Sequence, residues 1–213
     1  MLTSRSGPAV VRPNVNLPSR RDFILSILIG TAASLAAPTF AAPQTREIPT
    51  FESDKYQFTI VRPQQELPSI RLFRLDGGTV DLSSLRGKPI LLNLWASWCA
   101  ACRTELPILD RQYRGAWRGN LHVAAVSEDR SSRDTVEHFT KTLGLRTLPI
   151  YLDPNGYVAH SDSGNSRSAP FALYGMPITY LISSSGLIVG YIPGAADWSS
   201  PAANDLIEYL RNN

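Results

Sequence analysis

The chain has 213 residues, with 21 Lys and Arg against 18 Asp and Glu, which gives a formal net charge of +3. With 43% hydrophobic and 18% charged residues, it can bury one sizeable core and is not disordered throughout. Two cysteines exclude a disulfide-stapled scaffold and a four-cysteine zinc site. The net charge does not indicate nucleic-acid binding, because the three lysines are scattered and form no basic cluster.

Residues 1–42 are predicted to be an export signal. Arg20 and Arg21 precede Phe23 and a run of small and apolar residues, and small residues at 41–42 suit a signal peptidase. The paired arginines resemble a twin-arginine export signal, so we expect a periplasmic protein. The alternative is a retained anchor in the inner membrane, although a transmembrane helix needs about 20 apolar residues and this run reaches that length only by counting many small polar residues.

The positive charge is confined to this leader. Residues 1–42 hold four of the 21 basic residues and one of the 18 acidic ones, a net of +3, so the other 171 residues hold 17 of each. The remaining chain therefore offers no charge argument for a nucleic-acid or anionic-lipid partner.

The predicted elements begin after a linker at residues 43–66, which contains at most one short strand at 57–61. From residue 67, apolar residues on either side of Asp-Gly-Gly at 76–78 predict a β-hairpin. The continuous apolar run at 89–95 is typical of a central strand that is buried on both faces.

Alternating helices and strands fill the rest of the chain. Helices are predicted at 100–117, at 131–143 and from 200 onward, and strands at 121–126 and 148–152. A polar loop is predicted at 160–169 and a hairpin at 178–192. Pro107 should kink the first of these helices. The order predicts an α/β fold, with a mixed central sheet, helices on both of its faces and an N-terminal β-hairpin extension.

Both cysteines fall at the junction between the buried strand and the first helix. Cys99 and Cys102 are three residues apart, which on one helical turn places their Cβ atoms ~5–6 Å apart and permits a disulfide. The helix N-terminus should lower the pKa of the Cys99 thiol and make it the nucleophile. Cys102 lies one turn into the helix on its apolar face, where it can attack a mixed disulfide and release the product.

Two other interpretations of the cysteines are weaker. A zinc site needs further ligands, and His122, His138 and His160 show no ligand spacing. A purely structural disulfide that closes a loop of four residues constrains the unfolded chain very little. Thiol redox chemistry is therefore favoured, with no metal and no cofactor.

The segments LWASWCAAC at 94–102 and GMPIT at 175–179 resemble the thioredoxin superfamily. Further segments narrow the resemblance to the TlpA-like thioredoxins of the bacterial cell envelope, and these lie at 76–89, 93–96, 103–107 and 194–198. The resemblance covers about residues 67–212 and implies that residues 67–213 form a thioredoxin-like domain.

The resemblance also assigns roles around the cysteines. Pro177 corresponds to the cis-proline that lies against them. The backbone of Met176 would then pair with an extended substrate strand, and Trp98 is expected to flank the substrate groove. Ala100 and Ala101 stand where family members often carry a proline before the second cysteine, so the reduction potential stays open.

The resemblance also points to an acid/base group. Thioredoxins have a buried aspartate six residues before the first cysteine, where this chain has Asn93, which cannot take up a proton at neutral pH. Membrane-side reductases of the family use a glutamate three residues after the second cysteine, which is Glu105 here. The alternative is that Glu105 only stabilises the helix through its dipole.

The predicted function is that of an enzyme, a protein-disulfide reductase. By resemblance it keeps the cysteines of cytochrome c, or of proteins that assemble the copper site of cytochrome oxidase, reduced, with electrons from a membrane thiol relay protein. The alternatives are an oxidising or isomerising enzyme and, less favoured, a copper-binding assembly chaperone, which needs a wider cysteine spacing and a distal histidine. A peroxidase relative would have threonine where Ala96 stands. The sequence does not set the direction of exchange.

Overall fold

The computed structural model describes residues 47–53, 55–161 and 169–212. The predicted export signal, its alternative as a membrane anchor and most of the predicted loop at 160–169 lie outside the described residues. Within the described ranges, no helix combines the length and the apolar character that crossing a membrane would require.

Eight strands form one mixed sheet in the order β1-β10-β9-β4-β5-β6-β2-β3, and β7 and β8 form a separate pair. The strands are β1 (Thr59–Glu66), β2 (Arg71–Arg74), β3 (Thr79–Asp81), β4 (Ile90–Trp95), β5 (His122–Ser127), β6 (Ile150–Leu152), β7 (Ala159–His160), β8 (Phe171–Ala172), β9 (Ile178–Ile182) and β10 (Leu187–Pro193). The helices are α1 (Ala100–Arg114), α2 (Arg133–Thr142) and α3 (Pro201–Arg211), with a 3₁₀ helix at Leu82–Leu85. The predicted α/β class and mixed sheet are confirmed.

Strand β4 lies at the centre of the sheet and is buried along its whole length. It pairs in parallel with β5 and antiparallel with β9, as its continuous apolar sequence predicts. Because side chains alternate along a strand, Leu91 and Trp95 enter one core cluster and Leu92 and Leu94 enter the other. The strand therefore separates two hydrophobic cores.

The three α-helices bury side chains in the same core cluster, the one that contains Leu91 and Trp95. Helix α1 connects β4 to its parallel neighbour β5, and α2 connects β5 to its parallel neighbour β6. Both connections step in the same direction across the sheet. Right-handed crossovers therefore place both helices on one face. The other cluster receives Leu82 of the 3₁₀ helix and Phe171 of the small sheet. Helices thus lie on both faces, as predicted, only when the 3₁₀ helix is counted.

The predicted linker at 43–66 needs correction, because part of it belongs to the fold. Residues Thr59–Glu66 form β1, an edge strand that pairs antiparallel with β10. Upstream of it, Phe51 is buried and its ring lies 4.9 Å from that of Trp198. The sequence predicts at most a short strand at 57–61 here, because seven of the eight residues of β1 are exposed and the strand therefore shows no apolar alternation.

The remaining elements follow the sequence closely. Strands β2 and β3 form the predicted hairpin and join the sheet through β6. Helix α1 continues through Pro107 but ends at Arg114, three residues before its predicted end. Trp117 is buried beyond it. Helix α3 begins after Ser200, whose side chain accepts a hydrogen bond from the backbone N–H of Ala203, a normal N-cap.

Candidate active site

Cys99 and Cys102 form a disulfide at the N-terminus of α1, with their Cα atoms 5.3 Å apart. Cys99 is the N-cap residue of the helix, and its Sγ accepts a hydrogen bond of 3.1 Å from the backbone N–H of Cys102. The residue Cys99 is 6% exposed and Cys102 is fully buried. An N–H at this position and the helix dipole are the features that favour a thiolate in general, so the lowered pKa of the Cys99 thiol stays a prediction from the sequence.

The loop between β4 and α1 is held by Asp129, which follows β5. The carboxylate of Asp129 accepts hydrogen bonds from the backbone N–H and the hydroxyl of Ser97, at 2.9 and 2.7 Å, and from the hydroxyl of Ser127 at 2.7 Å. Arg103 of α1 donates to the carbonyl of Ser97 at 3.0 Å. Asp129 is not identifiable from the sequence, because a carboxylate 30 residues after Cys99 carries no local signal of this contact.

The two tryptophans near the disulfide lie in opposite environments. Trp98, directly before Cys99, is 69% exposed. Trp95 is buried and stacks on Phe139 with ring centroids 5.4 Å apart. An exposed indole beside Cys99 is available to a bound protein, whereas Trp95 is part of the core.

The peptide bond between Met176 and Pro177 is cis. Met176 and Pro177 directly precede β9, which is hydrogen-bonded to β4, and Met176 packs against the core cluster that contains both cysteines. The carbonyl of Pro177 accepts a hydrogen bond of 2.7 Å from the N–H of Gly194. A Cβ on Gly194, whose φ is +77°, would lie 3.3 Å from the ring of Tyr56. The segment predicted to be a linker therefore also packs against Gly194, the hydrogen-bond partner of the cis-proline.

Glu105 is buried beneath the cysteines, on the same face of α1 as Cys102, and is 1% exposed. Its Oε1 accepts hydrogen bonds from Nε1 of Trp198 at 2.7 Å and from the N–H of Ala196 at 3.0 Å. Its Oε2 accepts one from Nδ2 of Asn93 at 2.8 Å. Burial raises the pKa of Glu105 to about 7, because desolvation of the carboxylate outweighs the three hydrogen bonds that stabilise its charge.

The partners of Glu105 come from distant parts of the sequence. Trp198 lies 93 residues away, before α3, and is buried between the rings of Phe51 and Trp117, whose centroids lie 4.9 and 6.2 Å from it. Asn93 comes from β4 and also donates to Oγ1 of Thr179 at 2.9 Å. In the sequence the segment at 194–198 stands out only through the family resemblance, because hydrogen bonds over such separations leave no local pattern.

A second buried acid, Glu128, lies directly after β5 and is 6% exposed. Its backbone N–H donates to the carbonyl of Trp95 at 2.8 Å, but neither carboxyl oxygen has a hydrogen-bond partner among the described residues. Burial, and after it the negative charge of Asp153, raise the pKa of Glu128 to about 8. Sequence analysis missed this residue.

The described residues contain no group of three or more His, Cys, Asp or Glu side chains that could hold a metal ion. The groups that the site brings together are the two sulfur atoms, the adjacent helix N-terminus and the buried carboxyl group of Glu105.

Two curated relatives are similar to this chain in sequence. The thiol-disulfide oxidoreductase ResA of Bacillus subtilis is 28% identical over 129 residues, which cover 61% of this chain and 66% of ResA. ResA of Oceanobacillus iheyensis is 33% identical over 121 residues, which cover 57% of each protein. The chain thus spans between half and two thirds of the length of these two relatives.

Solved structures show the same fold. A thiol:disulfide interchange protein of the thioredoxin family from Chlorobium tepidum matches with a TM-score of 0.54 at 21% identity, over 71% of this chain and 99% of that one. The exposed lipoprotein thioredoxin Etrx1 of Streptococcus pneumoniae matches with a TM-score of 0.53 at 25% identity, over 67% of this chain and all of Etrx1.

The AhpC/TSA family matches residues 63–190, which is more than half of the chain. This range contains β4, the disulfide, α1 and the cis-proline. By this match the chain belongs to the AhpC/TSA family, and its central mixed sheet with a disulfide at a helix N-terminus has a thioredoxin-like fold.

Proposed function

We propose that the protein is a thiol-disulfide oxidoreductase that exchanges disulfides with cysteine-containing proteins outside the cytoplasm. The observation that carries this proposal is the Cys99–Cys102 disulfide at the N-terminus of α1, in which Cys99 is 6% exposed and Cys102 is fully buried. Relatives named thiol-disulfide oxidoreductase support it. A structural role for the disulfide is disfavoured because its loop is too short to restrict the unfolded chain.

Exchange by the reduced protein takes two steps. The Cys99 thiolate attacks a disulfide of the substrate protein, which forms a mixed disulfide and releases one substrate thiolate. The Cys102 thiol then loses its proton and attacks Sγ of Cys99, which releases the second substrate thiolate and closes the Cys99–Cys102 disulfide. Two electrons pass from the dithiol to the substrate disulfide, and the substrate thiolates take up protons according to the pH.

Glu105 is the group that we assign to the proton of Cys102. It lies one helical turn from Cys102 on the same buried face, and its pKa of about 7 lets it accept and return a proton near neutral pH. Asn93, which occupies the position of the thioredoxin aspartate, cannot do so. A carboxyl group whose only role was to stabilise the helix dipole would not need burial beneath the cysteines.

The substrate is expected to bind beside the exposed ring of Trp98 and along Met176. The backbone of Met176 directly precedes β9, where an extended segment of the substrate can pair with it in the manner of an added strand. Such backbone pairing recognises many sequences, which suits an enzyme that acts on several proteins.

The direction that we propose is reduction, serving the assembly of cytochrome c or of the copper site of cytochrome oxidase. The support is the resemblance to TlpA-like proteins of the cell envelope, together with the paired arginines of the predicted export signal. Because that compartment is oxidising, the enzyme needs electrons from a membrane thiol relay protein. An oxidising or isomerising enzyme is the alternative, and a copper chaperone is disfavoured by the two-residue cysteine spacing.

The reduction potential tests the direction. The purified protein is equilibrated with glutathione redox buffers, and the fraction of disulfide is measured. We expect a potential near that of thioredoxin, about −270 mV, whereas a value near that of the disulfide-forming enzymes, about −120 mV, would overturn the reductase proposal.

Covalent trapping tests the exchange chemistry and identifies substrates. A Cys102→Ser variant lacks the resolving thiol and should accumulate mixed disulfides through Cys99 when it is expressed in the cell envelope. The matched control is the double variant Cys99→Ser, Cys102→Ser, which cannot form them. Equal recovery of partners from both variants would contradict the proposal.

A further inference from the structure

The amide of Asn93 lies between Glu105 and Thr179 and bonds to both through one atom. Its Nδ2 donates one hydrogen to Oε2 of Glu105 at 2.8 Å and the other to Oγ1 of Thr179 at 2.9 Å. Its Oδ1 is buried and has no hydrogen-bond partner among the described residues. A buried amide oxygen without a donor is costly, so the orientation of this amide depends on what its two neighbours require.

The two oxygens of Glu105 are not equivalent. Oε1 accepts from an indole N–H of Trp198 and a backbone N–H of Ala196, and neither group can act as an acceptor. A proton that arrives at Glu105 must therefore bind Oε2. There it would point at the amide N–H of Asn93, so that two donors would face each other.

A half-turn of the Asn93 amide removes this conflict. The amide nitrogen and oxygen have almost the same size, so the rotation exchanges them without new space. Oδ1 then accepts from the protonated Oε2 of Glu105. It also accepts from the hydroxyl of Thr179, since a hydroxyl can turn from acceptor to donor. The turn brings the hydrogens of Nδ2 to the buried position where Oδ1 had no partner, and the two bonds that Oδ1 accepts must offset this cost.

We infer that Asn93 is a positioning residue that couples the protonation of Glu105 to Thr179 in the strand that follows the cis-proline. Asn93 and Thr179 are paired across β4 and β9, and Thr179 lies two residues after Pro177. Each proton that Glu105 takes up or returns thus reverses the hydrogen bonds at the strand next to the substrate-binding segment. The inference deepens the proposed function and rests on it for its role in exchange.

Few other groups can titrate near this network. On α1 the titratable neighbour is Cys102, which does not titrate in the disulfide form. Before α3, Asp197 is exposed and accepts hydrogen bonds from Ser199. β4 and β9 contribute the uncharged Asn93 and Thr179. In the part of the chain that the structure describes, no charged side chain is recorded in a hydrogen bond or ion pair with Glu105.

The test uses the intact oxidised protein, in which Glu105 titrates without interference from the cysteine thiols. Nuclear magnetic resonance follows the ¹³C shift of the Glu105 carboxyl and the ¹⁵N and ¹H shifts of the Asn93 amide between pH 4 and pH 9. We expect both to change with the same midpoint, because the amide turns when the carboxyl is protonated. Amide signals that stay constant through the Glu105 titration would overturn the inference.

Two substitutions at Thr179 distinguish a turn of the Asn93 amide from a simple change in packing around it. When Glu105 is charged, Thr179→Val leaves one N–H of Asn93 without an acceptor. When Glu105 is protonated, Oδ1 of Asn93 still accepts a hydrogen bond from Oε2 of Glu105. The midpoint of Glu105 should therefore rise by about one pKa unit, while Thr179→Ser should keep the wild-type midpoint. If the Asn93 amide did not turn, Thr179→Val would leave its N–H without an acceptor in both protonation states of Glu105. The midpoint of the Glu105 titration would then stay at the wild-type value.

The outcome is independent of the proposed exchange activity, because the oxidised protein is measured without substrate. A failure of trapping by Cys102→Ser would contradict the activity and leave the coupling intact. If Thr179→Val does not fold, the wild-type amide titration decides the question alone.

Discussion

Glu105 and Glu128 are both buried carboxyl groups in the same fold, but their surroundings differ. Glu105 receives three hydrogen bonds from three separate elements, whereas neither carboxyl oxygen of Glu128 has a partner among the described residues. Desolvation raises the pKa of each, to about 7 and about 8. The hydrogen bonds to Glu105 thus favour its charged form, whereas Glu128 is buried without such donors in the described part of the chain and its protonated form is favoured.

The difference should appear first as pH-dependent stability. The pKa of Glu128 is about 8 in the folded protein against an ordinary value of 4.5. As the pH rises above 4.5, the unfolded chain releases a proton that the folded one keeps, so stability falls until the pH exceeds 8. Glu128→Gln removes this loss. Between pH 4 and pH 7, the free energy of unfolding of the variant should therefore rise by roughly 3 kcal/mol relative to that of the wild type.

Denaturant unfolding of the oxidised protein at pH 4 to pH 8 checks this prediction. The matched control is Glu66→Gln, which makes the same chemical change at an exposed position of β1 and should leave the pH dependence as it is. Parallel stability curves for wild type and Glu128→Gln would show that Glu128 ionises freely in the folded protein.

Glu105 should matter for exchange where Glu128 does not. Glu105→Gln removes the acid/base group beneath Cys102 and should lower the rate of insulin disulfide reduction at pH 7 by about tenfold to a hundredfold. The wild-type rate should also show an inflection near pH 7 that this variant lacks. Glu128→Gln should keep both the rate and the inflection, and equal losses in the two variants would remove the distinction between the two acids.

A smaller effect should follow from weakening the Glu105 network by one donor. Trp198→Phe removes the N–H that donates to Oε1 but keeps an aromatic ring against Phe51. The charged form of Glu105 loses stabilisation, so its pKa should rise by about one unit above 7, as measured by the ¹³C shift of its carboxyl. Trp117→Phe changes a neighbouring ring that does not bond to Glu105, and an equal rise in that control would attribute the effect to packing.

The site was predictable where its signals are local in sequence. Both cysteines lie at one strand–helix junction, and this junction arises from a run of apolar residues followed by a helical pattern. The exposure of Trp98, the cis bond at Pro177 and the burial of Glu105 on the Cys102 face agree with what the family resemblance implies. Their catalytic and binding roles remain predictions.

Contacts between distant residues were not predictable. Nothing near Asp129 in the sequence indicates that it fixes Ser97, and Trp198 meets Glu105 only because α3 returns to the face of the sheet that carries α1. For a related reason the sequence predicts at most a short strand at 57–61 where β1 extends to Glu66, since an exposed edge strand needs only backbone hydrogen bonds from its neighbour and carries no apolar pattern of its own.

The sequence by itself determined the class of fold, the position of the redox pair and the assignment of the excess positive charge to the first 42 residues. These depend on composition, on short periodic patterns and on residues three or four apart. Only the tertiary structure decided that the carboxyl group of Glu105 accepts hydrogen bonds, whereas that of Glu128 has no such donors among the described residues. That difference arises from hydrogen bonds across 12 to 93 residues of sequence, and bonds over such distances exist only once the chain has folded.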